Sequence, residues 1–477
     1  MNCKPLRHEG SSGLVVVREG FTLLGTKFSS IPDPTYPYLD GQWVYHIAQC
    51  QISRDFGSHP KTREMISPKV ISNGRRLIRG PSRVTYLKVE IEANAEIDEA
   101  VKQIFSTMME RLKTALANGN LNARQTLVML NQQKKFVDTL VGMAKFVAKV
   151  SGSRSKKLEM LKRKLVDNSD LADLRGLSLP LDPSIRVKNI QAESTLLFSS
   201  KMMPMRLTFA TVRDTIAHDE CGEMYTIIFK RGDDLRQDQL VVQMIRLMDG
   251  LLKAERLDLC LTPYAVLATS VSEGFIQFVN ATPIANLNSI QETLRTFRPS
   301  FTGPYGIEVD ALNNYVRSCA GYSVICYILG VGDRHLHNLL LCENGRMFHV
   351  DFGFILGQDP KPMPPPMKLT SEMVNAMGGQ NSEYFKNFLD YITKAFCILR
   401  RNVNLIINLF SLMLDAGIPD IAIEKEKAVQ RLLERFHLQL SDECARQLMR
   451  RLVETSLSAK MPILVDFVHD VKQFISD

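Results

Sequence analysis

The sequence predicts an α+β chain in which an all-α region is followed by a β-rich lobe and then by a mainly helical lobe. Three observations predict it. Apolar residues recur at helical spacing from about residue 97 to 165, short alternating runs cluster between 196 and 268, and helical spacing returns beyond 280, where polar loops interrupt it. A chain of 477 residues holds two or three domains, each large enough to bury a core. Its 45% hydrophobic and 23% charged residues are those of a soluble globular protein.

Residues 1–85 are rich in Pro, Gly and Ser, show one short β-like run at 41–50, and carry no motif. Residues 85–92 (TYLKVEIE) alternate like a strand, near the start of a helical region spanning 86–178. There, Ile104, Met108, Leu112 and Leu116 form one stripe, and Phe136, Leu140, Met143 and Val147 form another within a long helix predicted over 121–150. A basic helix follows, SRSKKLEMLKRKL, with six Lys/Arg against Glu159. A solvated face is the plain expectation for it, and contact with acidic lipid or a partner is the alternative. Pro180 and Pro183 mark 176–190 (GLSLPLDPSIRVKNI) as a linker.

The β-rich lobe is placed at 186–280, with strands at 196–199, 205–211, 224–229 and 265–268 and one helix at 237–252. After a hinge near Phe278, residues 281–477 are mainly helical, broken by two polar loops and a proline run, PKPMPPP. The order of these pieces is that of a bilobal, protein-kinase-like fold.

Charge and cysteine usage narrow the function only in part. A net charge of +8 suits an anionic partner (a nucleotide, an acidic membrane surface or a nucleic acid) without choosing among them. Nine cysteines with no C-x-x-C pair argue for reduced thiols in the cytosol, against both a disulfide framework and a zinc site. Residues 14–25 are apolar but broken by Arg18 and Glu19, so they make a poor signal peptide. No apolar run approaches the roughly 20 residues of a membrane-spanning helix, so membrane contact is expected to be peripheral.

The chemistry concentrates in GVGDRHLHNLLL (330–341) and HVDFGFILG (349–357). Polar clusters between apolar runs bring two strand ends together, and their loops present Asp333, His335, Asn338 and Asp351 to one cleft. Phosphoryl transfer needs that set: oxygen ligands for Mg²⁺ and a base for the attacking hydroxyl. Upstream, Lys230 ends the alternating strand MYTIIFK, where its ammonium reaches the α/β-phosphates of ATP. Asp238, on the first turn of the next helix, is the acid expected to hold that lysine. Ser199 and Ser200, in LLFSSKMMP, sit where a phosphate-covering turn lies and offer hydroxyl and backbone N–H donors to the β/γ-phosphates. The turn lacks glycines, so it is neither a Walker loop nor a protein-kinase glycine loop.

Together, FKRGDDLRQDQL, LTPYAVLATS, SCAGYSVICYILGVGDRHLHNLLL, HVDFGFILGQDPKPMPPPMKLTSEMVNAMGG and LFSLMLDAGIPDIA resemble the phosphatidylinositol 3-kinases, class III most of all, the vacuolar-sorting lipid kinases of endosomes and autophagy. The resemblance covers residues 180–477 and continues more loosely from about 86. It implies Mg²⁺ (or Mn²⁺) and ATP as cofactors, with Lys230 on the ATP phosphates, and Asp238 and Tyr264 lining the pocket behind the adenine. Ile276 is then the gatekeeper, and Gln277, Phe278 and Val279 the hinge that bonds adenine through its backbone. Asp333 and His335 match the catalytic-loop acid and histidine, and Asn338 and Asp351 the metal ligands. Asp351, Phe352 and Gly353 open the activation segment, which also holds Lys361 and Lys368.

The resemblance further implies phosphatidylinositol in membranes as substrate, a regulatory pseudokinase-type subunit, an autophagy or endosomal adaptor, and no nucleic acid. It places the chain in the cytoplasm, peripheral on endosomal and autophagic membranes. His335 is the first candidate for the base, with Asp333 orienting or substituting; Arg334 is expected to be a buried partner for an acid.

Lys361 is the only basic residue between Asp351 and Met367, which favours plain phosphatidylinositol over its bisphosphate. The five prolines of the run stiffen the segment in an extended form. In the tail, Ile463, Phe467, Val471 and Phe474 share a helical face, read either as core or as a membrane-facing helix. The chain departs from the family at His337, at Gln358, in its ending Phe474-Ile475-Ser476-Asp477, and in residues 1–85, where no C2 domain is recognised and a truncated or divergent start is expected. The other readings are a phosphatidylinositol 4-kinase, a protein-serine kinase of the same superfamily, and a pseudokinase scaffold.

Overall fold

The computed structural model describes residues 99–458 apart from 175, 201, 213–220, 361–363, 415 and 425, together with three short strands near the start. The β-like runs at 41–50 and 85–92, Lys361 and the tail stripe of Ile463, Phe467, Val471 and Phe474 lie outside the described residues. The first strands, β1 (Val16–Val17), β2 (Gly20–Leu23) and β3 (Thr26–Phe28), form an antiparallel meander that pairs Phe21 with Phe28.

From residue 99 the chain is helical: α1 (Glu99–Ala117), α2 (Leu121–Lys149), α3 (Arg154–Val166) and α4 (Ser169–Ala172). Their starts follow from short polar side chains that accept otherwise orphaned N–H groups: Asn120 caps α2 through Ala123, Ser153 caps α3 through Lys156, and Asn168 caps α4 through Leu171. The stripe Phe136, Leu140, Met143 and Val147 is buried, and α3 turns Leu161 and Leu165 inward while most of its basic residues face outward.

A seven-stranded antiparallel sheet follows, in the order β4 (Leu177–Ser178), β5 (Arg186–Ile190), β7 (Met205–Val212), β8 (Cys221–Arg231), β10 (Glu273–Gln277) and β9 (Val266–Ala268), with β6 (Leu196–Leu197) paired to β7. Residues 176–190, predicted as a linker, are part of this sheet. Leu177 pairs with Val187, both buried, and β5 pairs on with β7. The two prolines sit in the turn between β4 and β5, where a missing N–H costs nothing.

The helical region and the sheet share one core. The ring of Phe136 on α2 stacks on Phe275 of β10 with centroids 6.2 Å apart and meets Phe209 of β7 edge-on at 5.9 Å. Between β8 and β9 runs α5 (Arg236–Ala254), buried along most of its length.

Beyond β10 a second, three-stranded sheet forms from β11 (Thr282–Pro283), β12 (Leu339–Leu341) and β13 (Met347–His349). Around it lie α6 (Ile290–Phe297), α7 (Val309–Leu329), α8 (Ser371–Ala376), α9 (Glu383–Arg401), α10 (Val403–Ser411), α11 (Pro419–Glu424), α12 (Glu426–Glu434) and α13 (Asp442–Ser458). The central helix α7 buries Tyr315 and Tyr322 completely and packs against α9. A β-rich lobe and a mainly helical lobe thus make up the bilobal, kinase-like α+β fold. No helix among the described residues is long and apolar enough to cross a membrane.

Candidate active site

The helical lobe delivers the D-R-H-x-x-N loop from the end of α7. Gly330 stops that helix with φ of 61°, a left-handed conformation, and a Cβ there would come within 2.5 Å of the Gly357 nitrogen. The loop of residues 330–338 runs between α7 and β12, and Asp351 follows β13, so neighbouring strands of one small sheet anchor both polar motifs. Both acids sit at positive φ, Asp333 at 49° and Asp351 at 61°. Such strain persists only where surrounding bonds fix it.

Those bonds are present. The Asp333 N–H donates to Oδ2 of Asp359 at 2.9 Å, and its carbonyl accepts from the His335 N–H at 3.1 Å and from Nδ2 of Asn338 at 3.2 Å. His335 Nε2 lies 3.9 Å from Asp333 Oδ2, and its ring stands edge-on to His337. Arg334 is buried, as expected, but holds backbone rather than an acid: its guanidinium donates to the carbonyls of Gly332 and Val350, both at 2.8 Å, and to that of Asp351. The cause is local, because the two loops turn three carbonyls toward one point. Arg334 therefore ties the loops together, and its charge also lies 5.4 Å from the Phe352 ring centroid.

The β-rich lobe contributes Lys230 near the end of β8, opposite Gly274 of β10. Its ammonium forms an ion pair with Asp233, three residues on, rather than with Asp238. Asp238 is instead buried on the first turn of α5, where Oδ1 accepts the Phe352 N–H at 3.1 Å. That bond aims the carboxylate at the activation segment, while Asp233 on the preceding turn is the acid within hydrogen-bonding reach. Burial alone would discourage charge on Lys230, but Asp351, Asp233 and Asp238 together hold its pKa above the ordinary lysine value. Burial, reinforced by Asp351, pushes Asp238 up to about 7 against the pull of Lys230 and the Phe352 N–H. Residues from both lobes thus share one electrostatic site.

Ser199 and Ser200 are exposed in the turn between β6 and β7, where the Met203 N–H bonds to the Ser200 carbonyl at 2.9 Å and Met202 lies against Gly232. The turn therefore borders the residues that follow Lys230. At the expected hinge, Ile276 pairs with Ile228, and the Gln277 and Phe278 N–H groups bond to the carbonyls of Ala265 at 2.8 Å and Thr226 at 3.3 Å. Val279 follows at the crossing between the lobes. Tyr264 is buried with its ring edge-on to Phe348, and burial, then Asp238, raises its pKa well above the usual value. Phe352 is fully buried, while Gly353 beside it is exposed.

Lys368, placed in the activation segment, is buried. The Met367 N–H bonds to Ser456 Oγ of α13 at 3.2 Å, and Met367 and Leu369 point into the core, so the chain has turned inward there. Sequence reasoning missed Asp233, Gln237, Asp359 and Asp420. For Asp233 the doubled acid at 233–234 is a signal; for the others the partners are distant in sequence.

A lysine near a strand end, a buried helix acid, a D-R-H-x-x-N loop and a following Asp-Phe-Gly thus come together between the two lobes of the kinase-like fold. Residues 224–300 and 288–423 match the model of the phosphatidylinositol 3- and 4-kinase family. The chain is 47% identical over 401 residues to the phosphatidylinositol 3-kinase catalytic subunit type 3 of Caenorhabditis elegans, covering 81% of this chain and 44% of the relative. It is 44% identical over 422 residues to phosphatidylinositol 3-kinase pik3 of Schizosaccharomyces pombe (86% and 51%), and 39% identical over 415 residues to phosphatidylinositol 3-kinase VPS34 of Saccharomyces cerevisiae (86% and 45%). The chain belongs to the phosphatidylinositol 3- and 4-kinase family. It spans about half the length of these relatives.

Proposed function

We propose that the chain transfers the γ-phosphate of ATP to the 3-hydroxyl of phosphatidylinositol, giving phosphatidylinositol 3-phosphate. The observation that carries this reading is the closeness of Asp351 to Lys230, two functional groups from opposite lobes, in one cleft with the Asp333–His335–Asn338 loop. The names of the relatives support the 3-position. The activation segment supports the plain lipid: Lys361 is the only basic residue between Asp351 and Met367, and Lys368 is turned into the core. A headgroup already bearing phosphates would need more cations than that.

In this reading Lys230, kept protonated by its acidic neighbours, binds the α/β-phosphates, while the β6–β7 turn offers Ser199 and Ser200 to the β/γ-phosphates. The sheet occupies the Gln277 and Phe278 N–H groups, so Val279 supplies the hinge N–H to adenine. Asn338 and Asp351 fit a hard divalent cation such as Mg²⁺. The amide nitrogen of Asn338 is engaged by Asp333, which presents its oxygen as the ligand, and Mg²⁺ is ordinarily held by one or two protein oxygens with phosphate and water completing the shell. When bound, the ion would offset phosphate charge. His335 removes the proton of the inositol hydroxyl, with Asp333 3.9 Å away to stabilise the imidazolium that results. We place the helical accessory region from 86, the β-rich lobe, with β4 included, at 176–280 and the helical lobe at 281–477. We also infer peripheral action on endosomal and autophagic membranes with a pseudokinase-type regulatory subunit and an adaptor.

Radiolabelled ATP turnover on vesicles of plain phosphatidylinositol, with the product isomer resolved, tests the reading. A 3-phosphate product that disappears in Asp351→Ala is expected. A 4-phosphate, or turnover that survives Asp351→Ala, overturns it.

A further inference from the structure

Asp359 lies in the activation segment, 26 residues beyond Asp333, yet its Oδ2 accepts the Asp333 N–H at 2.9 Å. Backbone bonds extend the contact. Gly332 donates to the Phe354 carbonyl at 3.0 Å, Leu356 to that of Leu329 at 2.9 Å, and Gly357 to that of Gly330 at 2.8 Å. The two segments approach so closely that a Cβ on Gly332 would stand 2.1 Å from the Gln358 carbonyl oxygen. At the end of this seam the chain must enter a left-handed conformation at Asp333, a residue with no glycine freedom. The Asp359 carboxylate meets the amide there, and a charged acceptor makes a stronger bond than a neutral one.

We infer that Asp359 is a positioning residue: by holding the Asp333 amide from the activation segment, it fixes the catalytic-loop turn that carries Asp333 and His335. The Asp333 carbonyl is already held by His335 and Asn338, so Asp359 completes the fixing of this residue by holding the peptide on its other side. Asp359 touches neither Lys230 nor the hinge in this arrangement; its effect falls on the phosphoryl-transfer geometry and spares nucleotide binding. The inference rests on the proposed kinase reading for its catalytic consequence but not for the latch itself.

Two measurements on the full chain separate them. The first is amide hydrogen exchange in the peptide spanning residues 331–336, which needs no activity. Asp359→Ala is expected to raise exchange there, while Asp359→Asn, whose amide oxygen still accepts, keeps most of the protection. The second is steady-state turnover on phosphatidylinositol vesicles. Asp359→Ala is expected to lower kcat by about 10- to 100-fold, the scale of a small misplacement of catalytic groups, with KM for ATP within about twofold of wild type. Asp359→Asn should recover most of kcat.

Unchanged exchange in Asp359→Ala overturns the latch. So does a kcat within about twofold of wild type, an equal loss in Asp359→Asn, or a parallel rise in KM for ATP that marks general disruption. Should the alanine variant fail to fold, the asparagine variant decides alone: protection and kcat both retained support the inference, both lost overturn it. A wild-type chain without lipid turnover overturns the kinase reading, and the exchange arm still tests the latch.

Discussion

Gln237 and Asp420 hydrogen-bond to each other in both directions: Gln237 Nε2 reaches Asp420 Oδ2 at 3.1 Å, and the Asp420 N–H reaches Gln237 Oε1 at 3.0 Å. The same Nε2 donates to the Phe352 carbonyl at 2.9 Å, and the same Asp420 oxygen accepts the Ile355 N–H at 2.8 Å. With Asp238 accepting the Phe352 N–H, α5 grips both polar ends of Phe352, and α11 of the helical lobe closes the clasp. The start of the activation segment is thus set by residues of both lobes.

Gln237→Leu is expected to destabilise the fold by about 1–3 kcal/mol, because it leaves the Phe352 carbonyl and the Asp420 N–H without their buried partner. Asp420→Ala should cost a similar amount, and the double variant less than the sum, since both lose the bond between Gln237 Nε2 and Asp420 Oδ2. Denaturant unfolding of the four proteins checks this. Strictly additive losses would count against a coupled clasp.

The groups legible in the sequence were those whose chemistry demands a residue type in a fixed local order. Lys230 at a strand end and the Asp333, His335, Asn338 and Asp351 set stand out because polar residues interrupt apolar runs. Gln237, Asp359 and Asp420 do not stand out, since each finds its partner only after the chain returns over 26 to 183 residues. The same limit explains one misreading: prolines at 180 and 183 look like a linker when the buried pairing of Leu177 with Val187 is out of view. The long helix over 121–149 was legible because its stripe repeats for several turns.

Phe136 joins the helical region to the sheet through its stacked contact with Phe275 and its edge contact with Phe209. Truncating a buried aromatic of this kind costs about 3–5 kcal/mol. Phe136→Ala is therefore expected to lower the unfolding midpoint of the β-rich lobe as well as that of the helices. Hydrogen-exchange mass spectrometry along a denaturant series should report coincident transitions for peptides of residues 99–166 and 177–280. A helical transition that moves alone would show the two regions to be separate cooperative units.

For His335, burial beside Asp333 predicts a loss in the chemical step. His335→Ala should lower kcat by about 10²–10⁴-fold, the range of a general base, while ATP binding changes little. Equilibrium nucleotide binding alongside turnover separates the two. Equal losses in both would assign His335 to binding.

Two histidines make stability fall as the pH falls, opposed over the same range by Asp238, whose native pKa of about 7 favours the fold as the carboxyl protonates. His349 is fully buried, its Nδ1 3.2 Å from the Cys326 sulfur and its ring stacked on Tyr322; burial, then Arg334, holds its pKa well below the ordinary value. His437 accepts the same direction from burial, then Arg400 and Arg435, with its Nε2 2.7 Å from the Tyr327 hydroxyl. In both cases the fold favours the neutral ring, so below the ordinary pKa near 6.5 the unfolded chain binds more protons than the native one. Stability from these groups is full above pH 6.5 and is lost as the pH falls toward their native values. Thermal unfolding at pH 7.5, 6.5 and 5.5 should show Tm dropping across the last interval. His437→Gln, which retains a polar partner for Tyr327 without a titrating ring, should show a smaller drop over that interval than wild type. An identical drop in the two proteins would remove His437 from the account.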